Sequence, residues 1–185
     1  MKMTEVVVIT GSPSANSRSA ALAAHARQLF EGRGVSVEQI DVKSLPAEDL
    51  LHANFNSAEI QAAIAKVSAA RLLVVATPIY KVAYSGILKA FLDLLPQDGL
   101  TGKVVVSIAS GGSAAHLLAL DYALRPVLAS LGVQSVIGNI YAVDSQLPRS
   151  PNGGYHIDTE IQRRLDAAVD AGFEQLVRLD LALTT

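Results

Sequence analysis

The sequence predicts a doubly wound α/β domain built on five parallel strands, and three observations carry that reading. β-Branched apolar runs alternate with helical patterns along the whole chain. The run at 6–10 is continuously β-branched, as expected for a strand covered on both faces, and strand-like runs recur at 72–78 and 103–110. Each interval between strands holds one helical stretch, which supplies the crossover that parallel pairing needs.

Taken in order, V6-V-V-I-T10 is the first strand. A helix follows over 17–31, with Leu22, Ala26, Leu29 and Phe30 on one side and a stop near Gly32 and Gly34. The alternating run VSVEQIDV (35–42) is a second strand at or near an edge. Segment 43–56 is long for a connection. It reads either as an interface or binding rim, or as a short irregular helix around Glu48–His52. A helix over 57–70 opens with Ser57 and Glu59, and LLVVATP (72–78) is a third strand ended by Pro78. The helix at 85–95 stops at Pro96, and a fourth strand covers 103–110. A long helix over 113–132 leads to a fifth strand at 133–143, with a bend expected at Gly138. Turn formers fill 144–154, and a closing helix spans 158–179. With no linker or repeat, the reading is a single domain over 1–185, its core at about 4–180.

Composition narrows the function. Half the residues are apolar and the formal net charge is −2, which gives no reason to expect nucleic acid or an anionic membrane as a partner. The mean hydropathy of +0.34 fits either a homo-oligomer or a rich core. Cysteine is absent, which excludes disulfides, thiol nucleophiles and thiolate metal sites. The four histidines are scattered, and no metal site is expected. No run is long enough to span a bilayer, so the expected location is the cytoplasm.

Open parallel sheets place function outside the carboxyl ends of their strands, where strand order reverses. In the flavodoxin-like order 2-1-3-4-5, the first, third and fourth strands are neighbours. Their exits here are GSPSANSRS (11–19), TPIYKVAYSG (77–86) and SGGSAAH (110–116), all rich in glycine, serine or proline. The first loop has neither a P-loop lysine nor the three spaced glycines of a dinucleotide fold. It opens a helix, whose free N–H groups and dipole attract phosphate. Ser12, Ser14, Asn16, Ser17 and Ser19 add polar donors, and Arg18 a charge-assisted one. The plainer alternative is a serine-rich N-cap with Ser17 capping and Arg18 solvated. Thr77 to Lys81 can lie along a flat ring, or Tyr80 can be rim packing. Ser110-Gly111-Gly112-Ser113 lets main chain approach a ligand, or simply caps the next helix.

At these loops the chain resembles the flavodoxin-like NAD(P)H-dependent FMN reductases. The motifs are GSPSANSRS, TPIYKVAYSGILK and ASGGSAAHLLALDYALRPVL. The likeness is closest to the reductases of two-component alkanesulfonate and methanesulfonate monooxygenase systems, and runs from Val6 to about Gln146. It implies FMN as cofactor or substrate, with NADPH or NADH as hydride donor. It implies that Ser12, Ser17, Arg18 and Ser19 hold the phosphate, and that Pro78, Ile79, Tyr80 and Lys81 line the flavin ring. Ser110, Gly111 and Gly112 would meet the pyrimidine side, the two glycines stabilising charge through backbone N–H groups. Tyr122 matches a tyrosine that makes a π-bulge at a subunit interface and regulates flavin access. A flavin-dependent monooxygenase receiving reduced FMN, and a homotetramer, are implied partners. Many relatives carry arginine after GSP, where this chain has Ser14. Two further readings remain: a flavin-retaining reductase of quinones, azo dyes or metal oxyanions, and a non-enzymatic electron carrier.

Overall fold

The structure is a computed structural model and describes residues 5–183. Five parallel strands form in the order read from the sequence: β2 (Val37–Asp41), β1 (Val6–Thr10), β3 (Leu72–Tyr80), β5 (Val104–Gly111) and β6 (Ser135–Val143). A sixth, β4 (Ala83–Tyr84), pairs antiparallel with the end of β3 and lies off this path. Successive residues of a strand face opposite sides, so the apolar runs feed two cores. Val7, Ile9, Leu73 and Val75 pack with Ile60, Ile64 and Phe91 on one face. Val6, Val8, Leu72 and Val74 pack with Leu22, Phe30 and Leu165 on the other.

The helices divide accordingly. α1 (Arg18–Gly32) and α6 (Thr159–Leu183) cover one face. α3 (Ala58–Ala69), α4 (Gly86–Leu92) and α5 (Arg125–Ser130) cover the other. Segment 43–56 takes the irregular-helix alternative, with a 3₁₀ turn at Val42–Ser44 and α2 at Ala47–Leu51. The bend expected at Gly138 is a bulge: Val105 pairs Val136 but Val106 pairs Gly138, leaving Ile137 extra. A Cβ on Gly138 would stand 3.0 Å from that of Ala168, so glycine also admits α6 closely. No helix among the described residues is long and apolar enough to cross a membrane.

Two expectations need correction, both beside the cleft. The third strand does not end at Pro78 but runs to Tyr80 and turns back through Lys81 and Val82. Proline is tolerated there because it sits near the strand's end. The segment 113–132 is not one α-helix. It is a 3₁₀ turn (Ala114–His116), a π-helical segment (Leu120–Leu124) and then α5. Pro126 supplies the reason: it has no N–H, and its ring crowds the carbonyl four residues back, that of Tyr122. Widening the turn relieves the clash, and the Arg125 N–H reaches five residues back to the Leu120 carbonyl.

Candidate active site

The exit loops of β1, β3 and β5 meet in one cleft of about 250 Å³ at the carboxyl edge of the sheet. Ser12, Ser14, Ser17 and Arg18 line it from the first loop, Pro78, Ile79 and Tyr80 from the second, and Ser110, Gly111 and Gly112 from the third. Three sequence candidates lie outside that lining. Ser19 is buried beneath the first loop, its hydroxyl 2.9 Å from that of Ser17. Lys81 sits at the hairpin turn, and Tyr122 is 79% exposed on the π segment.

The first loop is held by its own hydroxyls. Ser12 Oγ accepts the Ser14 N–H at 3.2 Å, and Ser14 Oγ donates to the Asn16 carbonyl at 3.1 Å. Ser17 caps α1 by accepting the Ala20 N–H at 3.3 Å. The N–H groups of Arg18 and Ser19, at the helix's first positions, have no intrahelical acceptor. Phosphate fits this end, because free amides, hydroxyls and a guanidinium converge on it.

Arg18 is not solvated as a bare cap would leave it. Its Nη1 lies 3.3 Å from Asp144 Oδ2, its Nε donates to the Leu147 carbonyl at 3.2 Å, and its guanidinium sits 5.0 Å from the centre of the Tyr155 ring. Asp144, Arg149 and Tyr155 also line the cleft, and all three come from the loop after β6. Sequence reasoning treated 144–154 as a plain turn. The signal was available, since β6 ends at the same sheet edge as the other loops.

Buried hydroxyls join the first two loops. The Ser85 N–H donates to Thr77 Oγ1 at 3.0 Å, Ser85 Oγ donates to the Gly11 carbonyl, and the Leu88 N–H donates to Ser85 Oγ at 3.3 Å. Ser85 thus caps α4 while tying it to the end of β1. At the other side, the Tyr141 hydroxyl donates to the Ser113 carbonyl at 2.6 Å and fixes the glycine turn. Burial, and then the nearby Asp144 charge, raise the Tyr141 pKa, so the phenol remains a donor through the neutral range. A Cβ on Gly111 would meet this hydroxyl, so a larger residue there would displace the Tyr141 side chain from Ser113, whereas a Cβ on Gly112 would meet open space.

The hairpin beside the cleft is strained. Lys81 and Val82 both have positive φ, 49° and 65°, as a two-residue reversing turn requires. A β-branched valine seldom accepts that conformation.

The family model described as NADPH-dependent FMN reductase matches residues 4–147. The chain is 51% identical over 142 residues to an FMN reductase (NADPH) of Pseudomonas putida, covering 77% of this chain and 72% of that protein. It is 42% identical over 180 residues to an FMN reductase (NADPH) of Escherichia coli, covering 95% and 92%. Among solved structures, the apo form of an NADH:FMN oxidoreductase superposes with a TM-score of 0.82 at 40% identity, covering 91% of this chain and 87% of that one. The three loops that build the cleft all fall within the matched residues, and the chain belongs to the NADPH-dependent FMN reductase family.

Proposed function

We propose that this protein is an NAD(P)H:FMN oxidoreductase that hands its reduced flavin to a separate flavin-dependent monooxygenase, one acting on sulfonates. One observation supports the reading above others: a serine-lined helix start and a glycine turn line a single cleft. Ser12, Ser17 and Arg18 hold the phosphate end, with Ser19 supporting Ser17 from below. Pro78, Ile79 and the half-exposed Tyr80 flank the ring. Gly112 lies beyond the last ladder pair of β5, Gly111 with Val143, and its N–H is the better placed of the two glycines to stabilise negative charge. When bound, the flavin supplies the hydride-accepting chemistry, and the chain's work is to position two rings and exclude water. An ion-paired Arg18 suits a flavin that must leave.

Release to a partner is tested by mixing the protein with NADPH, catalytic FMN and a sulfonate monooxygenase component. Sulfite release that requires this protein is the expected outcome. Sulfite release no faster than from FMN reduced by NADPH alone contradicts the supply role.

The oligomer also belongs to this reading. Tyr80 and Val82 on the hairpin, and Leu117, Leu118 and Tyr122 beside the π segment, are all at least half exposed. β4 packs against the π segment, so these side chains border one edge of the cleft. Apolar exposure of this kind fits a subunit interface, the homotetramer implied by the resemblance. Tyr122→Asp places a charge in that interface and is expected to lower the mass seen by light scattering after size exclusion. An unchanged mass contradicts the placement.

A further inference from the structure

A phosphate monoester carries a charge of about −1.5 to −2 near neutral pH. The cleft offers it Arg18, but Arg18 is already shared with Asp144. One further cation lines the cleft, Arg149, and among the described residues its guanidinium has no hydrogen-bond or ion-pair partner. Every charged group on the lining is thereby counted: Arg18 and Asp144 offset one another, and Arg149 is left unopposed.

The backbone fixes where Arg149 stands. It bridges Tyr155 across a small hairpin, closed by the Ser150 N–H on the Gly154 carbonyl and the Gly153 N–H on the Ser150 carbonyl. Gly153 and Gly154, at φ 87° and 74°, supply the left-handed positions of that turn. The hairpin is tied to the serine loop, because the Tyr155 hydroxyl donates to the Asn16 carbonyl at 3.1 Å. A second recess of about 210 Å³ adjoins the cleft and shares Asn16, Arg149 and Tyr155 with it. Arg149 therefore stands where the two spaces meet.

We infer that Arg149 is a phosphate-binding residue of this enzyme, adding a second guanidinium to the FMN monoester beside the serine loop. The inference rests on the proposed function, and it adds a binding residue from the loop after β6. The same chemistry belongs to the 2′-phosphate of NADPH, so the test separates the two sources. Dissociation constants for FMN and riboflavin are measured by flavin fluorescence, with KM values for NADPH and NADH, in wild type, Arg149→Gln and Arg149→Lys. The expected result is FMN binding at least about tenfold weaker in Arg149→Gln and partly restored in Arg149→Lys. Riboflavin binding and the NADPH-to-NADH ratio should not move. FMN affinity equal to wild type overturns the inference, and a shift confined to NADPH reassigns Arg149 to the pyridine nucleotide and overturns it equally. Wild type that binds FMN no more tightly than riboflavin would instead count against the phosphate site of the proposed function itself.

Discussion

Gly11→Ala is expected to lower the stability of the fold by about 1–3 kcal/mol, the cost of forcing a methyl into a packed site. The reason lies in the approach of α4 to the end of β1. A Cβ at residue 11 would stand 2.5 Å from Leu88 Cβ, and Leu88 is fully buried. Cβ atoms move only with their backbone, so relief requires α4 to shift. That helix is held by Ser85, whose hydroxyl donates to the Gly11 carbonyl itself. The first glycine of the serine loop is therefore set by packing beneath the loop. Gly112→Ala provides the contrast, since its Cβ would meet nothing within 4 Å. Urea unfolding should show a lower midpoint for Gly11→Ala and a midpoint near wild type for Gly112→Ala. Equal midpoints for the two variants would contradict this account.

Arg18→Ala and Asp144→Asn are expected to move FMN affinity in opposite directions. Arg18 gives the phosphate a charge-assisted hydrogen bond, and bonds of that class contribute about 1.5–3 kcal/mol, roughly 10- to 100-fold in affinity. Alanine also removes the Nε bond to the Leu147 carbonyl and the stacking on Tyr155, loosening the loop after β6. Asp144→Asn leaves those contacts in place and removes a negative charge from the phosphate's surroundings. It should tighten FMN several-fold, and low salt should widen the effect because both groups are partly exposed. Fluorescence titration with FMN, and with riboflavin as the phosphate-free control, measures both. A weaker FMN complex in Asp144→Asn would mean that the carboxylate chiefly positions Arg18.

Much of the fold was legible because parallel strands covered on both faces leave an unmistakable apolar run. The order of the strands came instead from the flavodoxin-like arrangement that alternating strands and helices suggest, and the meeting of three loops at one edge followed from that order. What escaped were features set by tertiary contact. The continuation of β3 through Pro78 to Tyr80 depends on a hairpin whose Lys81 and Val82 carry none of the usual turn signals. The break in the helix after β5 was the exception, since the resemblance placed a π-bulge at Tyr122 and the π segment contains it; what went unread was its physical cause, Pro126. The roles of Tyr141 and Ser85 were hidden, because each acts on a backbone carbonyl far away in sequence. Asp144 and Arg149 were overlooked for another reason: a loop rich in turn formers reads as a connection until its charges are placed in space. The likeness to FMN reductases pointed to the serine loop, and the structure adds what surrounds it.

The central claim is that this cleft takes flavin as a reactant and reduces it with a pyridine nucleotide. Titrating FMN into apoprotein while following NADPH and NADH oxidation tests it most directly. The account predicts negligible oxidation without flavin and a rate that rises and saturates with added FMN, the nucleotide preference emerging from the same experiment. Oxidation that proceeds unchanged whatever the FMN concentration, or none at saturating FMN with either nucleotide, would contradict it.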